Sequence, residues 1–430
     1  MTMNQPADRT VRRRHVFYIP GYDPIHPRRY RELYRTEGAA QAELSGYELA
    51  LAPKAGGGPY GWHVDAQIEG ADVRADFEVL VWSDIVRTSM DAGILATYGA
   101  MLRTAWIYIT SGALRRLMWL RKGPVIAALY PVGMLILQAL AAVIAFFVVK
   151  ALVGWPLGKL AALAPWGWLA AMLGWAFWAI KLGAGLAAGW WLLRYFKSID
   201  GKLFAHYLML DYAYTAKLRG ANPPELEARM AQFADQIAAA LADGPDEVLI
   251  VGHSSGAHLA VSILADMQRA GRLPARGGDG PALGFLALGQ VIPMVSFLPD
   301  AQRLRRDLHD LCQTDALTWI DITAPGDGCA FALCDPVAVT GVEPARGKRW
   351  PLVVSAAFTQ TLQPETWEKL RWRFFRLHFQ YLCAFDRPGD YDYFQITAGP
   401  RTLGARYEGR KPSINRIDIA AAPFTDMADV

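Results

Sequence analysis

The chain has 430 residues, with 44 Lys and Arg against 40 Asp and Glu, and carries a formal charge of +4. That length admits two or three domains and a large core. The weak charge, with no basic stripe interleaved with aromatics and no zinc-type spacing, excludes a nucleic-acid binder. Four cysteines (Cys312, Cys329, Cys334 and Cys383) are too few for a disulfide framework. Cys329 and Cys334 are too widely spaced for C-x-x-C, so buried reduced thiols are expected, with no metal and no cofactor.

In chain order, residues 1–14 are polar and read as a disordered tail. No apolar stretch follows Arg12, Arg13 and Arg14, so no secretory signal is expected, and a reducing, cytoplasmic setting follows. Residues 16–19 read as a short buried strand stopped by Pro20-Gly21. Residues 28–42 are helical. Residues 62–69 and 73–82 read as two strands joined at 69–72, with Trp82, Ser83 and Asp84 at a strand end. Residues 91–121 are helix-like and semi-apolar, either a cap over a pocket or an interfacial helix.

The composition then changes. Residues 123–149 hold no charge between Lys122 and Lys150, and 160–180 hold none between Lys159 and Lys181. A bilayer core of roughly 30 Å needs about 20 apolar helical residues, and both stretches suffice. Eight of the fifteen tryptophans fall between Trp119 and Trp191, as interface anchors would. A break between the spans is expected at residues 154–158, and Gly185 and Gly189 would let helices approach closely. Arg115, Arg116, Arg121 and Lys122 flank one side and Arg194, Lys197 and Lys202 the other, against Lys150 and Lys159 in the connection. By the positive-inside rule both flanks are cytoplasmic and residues 123–193 contact the bilayer as a hairpin.

After the hairpin, residues 203–218 read as helix. Asn222 reads as the cap of a helix with prolines in its first turn, its face formed by Leu226, Met230, Phe233, Ile237 and Leu241. Residues 248–251 are a buried strand, 283–291 another, and 292–294 a loop. Residues 302–312 are a charged helix and 318–323 a strand. Residues 351–358 stay unassigned. Residues 365–382 are helix-like and carry His378, and 393–397 are a final short strand or part of the tail.

The residue string Gly252-His253-Ser254-Ser255-Gly256 lies between the strand and a helical pattern that includes Leu259, Ile263 and Met267. A strand turning sharply into a helix around G-x-S-x-G exposes the serine hydroxyl above a sheet. Such a hydroxyl needs a base and a group to orient that base. These residues resemble the α/β-hydrolase superfamily of the esterase, lipase and thioesterase kind, over about residues 15–83 and 200–400. The resemblance implies an α/β fold with a mostly parallel sheet flanked by helices, made of residues 15–122 and 194–430 and interrupted by the hairpin. It implies the order serine, acid, histidine, which Ser254, Asp327 and His378 keep. It also implies an oxyanion hole from the backbone N–H of Ser255 and of Tyr22 or Gly21. Asp321 is the rival acid and Asp335 reads as a turn initiator. His309 reads as a solvated surface residue, His258 as a packing residue, and His253 as pointing away from the site. The expected activity is hydrolysis of an ester or thioester, with a small or lipid-like acyl substrate. An acyltransferase and a non-catalytic membrane scaffold or lipid-binding protein are the alternatives. Substrate identity and oligomeric state are left open.

Overall fold

The structure is a computed structural model that describes residues 10–54, 57–90, 92–161, 166–275 and 280–428. It divides into two compact units. One comprises Met1–Ser89, Trp106–Ala127 and Thr215–Val430, and the other Met90–Ala105 and Ala128–Tyr214.

The first unit is built on a sheet. Its strands are β1 (Arg13–Ile19), β2 (Glu48–Pro53), β3 (Gly61–Ile68), β4 (Ala71–Val79), β5 (Glu247–His253), β6 (Ala282–Leu288), β7 (Thr318–Thr323) and β8 (Leu352–Ser355). Their spatial order is β2-β3-β4-β1-β5-β6-β7-β8. The pairs β2–β3 and β3–β4 are antiparallel, and every other pair is parallel. The central strands are buried on both faces, which is why β5 reads Val-Leu-Ile-Val without alternation. Leu249 and Val251 join one core with Leu286, Leu288, Ile320 and Ile322. A largely buried helix, Gly256–Arg269, follows β5 directly.

Two edge strands escaped the sequence reading. β2 is mostly exposed, with no buried residue, and β8 has four residues. Other differences have local causes. The tail was expected to run to residue 14; residues 1–9 lie outside the described residues, but Arg13 and Arg14 belong to β1. Arg14 is drawn in by Glu247, which faces it across the β1–β5 register at 2.7 Å. The guanidinium also donates to the carbonyls of Gly399 and Arg401, and Glu247 accepts from Leu403 N–H. Residues 292–294 begin a short helix, Ile292–Ser296, since proline suits a first turn. Asn222 is not the helix cap. Pro223 holds that position before Pro224–Ala242, and the Asn222 amide donates to Glu227. Residues 393–397 lie in a helix, Tyr393–Ala398, because the Asp392 carboxylate caps the N–H groups of Phe394 and Gln395.

Two helices are long and apolar enough to cross a membrane, Lys122–Leu160 and Gly167–Ser198. The first runs on to Ala161 without the break expected at residues 154–158. In the second unit Gly154 is a packing position, where a Cβ would lie 3.3 Å from the stem of Lys181. Gly185 and Gly189 are buried against Phe146 and the Ala142 carbonyl, where a Cβ would lie within 2.8 and 3.0 Å. The outer faces show Leu137, Leu140, Ile144, Phe147, Trp175 and Trp191. A water-soluble core helix would cover such a surface.

The Arg14–Glu247 pair yields a stability test. Glu247→Ala strands a buried guanidinium and is expected to cost about 3–5 kcal/mol. Glu247→Gln keeps an acceptor and should cost less. Chemical denaturation of the two variants measures the difference.

Candidate functional site

The site begins with a crowded turn. A Cβ on Gly252 would lie 2.8 Å from Ala257 Cα, and one on Gly256 would run into the Ile19 carbonyl oxygen. Glycine at both positions lets β5, the following helix and β1 close together. The residue between them pays in backbone geometry: Ser254 has φ +57°, which side chains seldom adopt. Its N–H donates to the Leu288 carbonyl at 2.9 Å. From Glu247 to Ala265 every residue is buried except Ser254. The fold thus brings one hydroxyl out of a buried segment.

Against that hydroxyl lies the loop after β1. A Cβ on Gly21 would sit 3.0 Å from Ser254 Cβ and 3.4 Å from its Oγ. The loop is pinned by Trp82, whose indole N–H donates to the Pro20 carbonyl at 3.0 Å and whose ring meets Tyr22 edge-on. Trp82 lies beyond the end of β4, just before a helix that begins at Ser83. Asp84 turns outward and pairs with Arg229. Ser255 leads the helix Gly256–Arg269 as its N-cap.

Asp327 follows β7 on a turn closed by its own N–H to the Ala324 carbonyl. His378 Nδ1 lies 2.7 Å from Asp327 Oδ2. The same carboxylate accepts from the Tyr381 hydroxyl at 3.0 Å and from Cys329 N–H at 2.8 Å. Burial alone would raise the Asp327 pKa. The facing imidazole, these donors and the hydrogen bond from His378 outweigh it and hold the carboxyl below its ordinary value. The segment that carries His378 is not one helix. It breaks between Pro364–Leu370 and Phe374–His378, where Arg373 leaves helical geometry at φ −100°, ψ 67°.

The imidazole is brought to the serine's side of the sheet. Gly289, just after β6, has φ +54°, and a Cβ there would lie 3.1 Å from His378 Cε1 and 2.7 Å from the Tyr381 ring. Leu288, which holds Ser254 N–H, is its neighbour. Among the described residues no hydrogen bond yet joins Ser254 Oγ to His378. Asp327 and His378 are joined directly, and the link from Ser254 to them runs through Leu288 and Gly289.

His253 was expected to point away, and it does not. Its Nε2 is 3.0 Å from the His378 carbonyl and its Nδ1 is 3.2 Å from the Tyr18 hydroxyl. A carbonyl only accepts, so Nε2 carries the proton and Tyr18 donates to Nδ1. Burial, then the neighbouring His378, lower the His253 pKa to about 3 and keep the ring neutral. Arg29 stacks over Phe379 at 4.7 Å and steadies the same segment. Position next to Ser254 was the available signal for His253; the signal for Tyr381 was only its nearness to His378.

The other candidates separate. Asp321 is fully buried, and neither carboxylate oxygen finds a partner among the described residues. Asp335 caps the helix Pro336–Thr340 and pairs with Lys348. His309 is half buried rather than solvated, bonded to the Val342 carbonyl. His258 packs in the core, its pKa lowered to about 4 by burial. Asp327, Cys329 and His378 also offer metal-ligand atoms within 4.8 Å of one another. Two of the three, the carboxylate and the imidazole, engage each other directly.

No family model, no curated protein and no solved structure matches the chain.

Asp321 supplies a pH test. Burial, then the Asp335 charge, raise its pKa well above the usual value. The folded state therefore holds a proton that the unfolded chain releases above about pH 4. Its contribution is full below that pH and is lost as pH rises toward the folded pKa. Asp321→Asn should raise the unfolding midpoint more at pH 7.5 than at pH 5, as read by thermal denaturation.

Proposed function

We propose that the chain is a membrane-anchored serine hydrolase that cleaves an ester or thioester through an acyl-Ser254 intermediate. The observations that carry this reading are Ser254, half-buried on a left-handed turn in an otherwise buried segment, and the Asp327–His378 hydrogen bond. With Nδ1–H given to Asp327, the His378 Nε2 is the nitrogen left to take the serine proton. The Ser254–His378 hydrogen bond would then form when substrate binds, as catalytic contacts do in empty sites. Attack on the acyl carbonyl would place its oxygen toward the N–H groups of Ser255 and of Gly21 or Tyr22. The protonated His378 would pass its proton to the leaving alcohol or thiol. It would then draw a proton from water to release the acid. Asp327 stays ionised through the cycle, held by Tyr381, Cys329 N–H and the imidazole. His253 positions the His378 backbone.

The two long apolar helices support the anchor. The seven cations on their flanks, against Lys150, Lys159 and Lys181 farther along the two helices, support a body on the cytoplasmic side.

A fluorophosphonate probe is expected to label the wild-type protein at Ser254 and not Ser254→Ala. Absence of label on folded wild-type protein would sink the reading. Asp327→Asn should lower kcat for a short-chain ester by about 10³–10⁴. His253→Phe should lower kcat by about tenfold with KM little changed, and lower the melting temperature, since the His378 carbonyl and the Tyr18 hydroxyl lose a buried partner. His253→Gln, which can still donate to the His378 carbonyl, should recover most of that loss.

A further inference from the structure

Just before His378 the surface changes character. Arg371, Trp372, Arg373, Phe374, Phe375 and Arg376 are six consecutive exposed residues, and Trp372 is 72% exposed. With Lys369 the stretch holds four cations, and no Asp or Glu occurs between Glu368 and Asp386. Arg371 and Arg376 lean on Glu368 and Glu37, at 2.7 and 3.0 Å. Three large aromatic side chains at least two-fifths exposed beside cations are the composition of a bilayer-interface element.

The neighbours of this strip say which surface it meets. Phe374 packs on Gly328, where a Cβ would come within 3.2 Å of its ring. Gly328 adjoins Asp327 in the chain. On another side Gly328 meets Gly123, in the first turn of the long apolar helix, where a Cβ would lie 3.5 Å from the Gly328 carbonyl. The strip, the loop of the candidate acid and the root of that helix therefore meet within one unit. The helix before the root, Ala113–Leu120, exposes Arg115, Arg116 and Trp119. No acidic residue lies between Asp91 and Asp200.

We infer that residues 369–376 form a docking strip for an anionic lipid surface, which seats the mouth of the site on the bilayer, so that the acyl substrate is a membrane lipid. The inference rests on the reading of the two long helices as spans. The aromatic rings enter the headgroup region and the guanidinium groups meet lipid phosphates. His378 follows the strip in sequence, so an acyl chain leaving the bilayer reaches the site from that side.

The test uses the full chain in vesicles of phosphatidylcholine with about a third phosphatidylglycerol, an anionic fraction that a cationic strip should sense. Photoreactive benzoylphenylalanine replaces Trp372, Phe375, Leu140, Leu44 or Ile414 in turn, and lipid adducts are counted by mass spectrometry. Leu140 lies in the first long helix, while Leu44 and Ile414 are exposed elsewhere on the first unit. The expected result is lipid adducts at 140, 372 and 375 and background at 44 and 414, with the yield at 372 falling about threefold without the anionic lipid. Adducts at 140 with background at 372 and 375 overturn the docking strip and leave the spans standing. Background at 140 removes the spans and the strip with them. Neither outcome depends on hydrolysis, which the fluorophosphonate label reads separately.

Discussion

Everything at the candidate site depends on a steric constraint at Gly252 and Gly256. There β5, the following helix and the end of β1 come so close that no Cβ fits at either glycine. Such a turn cannot be made with Ser254 in an ordinary conformation, and its positive φ follows. A strained residue of this kind costs of order 1–3 kcal/mol, and it persists only where its surroundings over-determine it. Here those surroundings are a strand buried on both faces and a helix buried along most of its length. The close packing at both glycines leaves Ser254 as the one residue of that segment that is not buried.

The second requirement is to aim the imidazole. His378 sits at the end of a five-residue helix, a poor support by itself. It is held from three directions: Asp327 on its ring, His253 on its carbonyl, and the stack of Arg29 over the next residue. Two of these holders come from the serine's strand and from the helix after β1. The geometry of the histidine is thus tied to the same strands that expose the serine. Preorganisation of that kind is what the proposed nucleophilic role of Ser254 would require.

How legible this was in the sequence varied with the kind of signal. Buried strands announce themselves as apolar runs, so β1, β5, β6 and β7 were readable, as was the turn at Ser254. The pairing of Asp327 with His378 was reachable from chain order and turn chemistry. Edge strands such as β2 and β8 give no such run, and their existence depends on partners distant in sequence. His253 was misread because its contact is with a backbone carbonyl 125 residues away, which no local pattern encodes. Arg14 was misread because a charge at a chain start looks solvated until Glu247 is placed beside it. The break expected at residues 154–158 failed for a related reason: glycine marks either a turn or a close contact, and only the neighbouring helix tells which.

The position of β1 has one more consequence. It lies between β4 and β5, and its partner residues in β5 stand 233 positions later, as Arg14 and Glu247 do. Both long apolar helices are encoded in that interval. During synthesis, β1 to β4 emerge with the β5 side of β1 unpaired, and they stay so while the apolar helices are made. Only when β5 emerges does the sheet close and the turn at Ser254 take shape. Both apolar helices are therefore made before the turn at Ser254 can take shape.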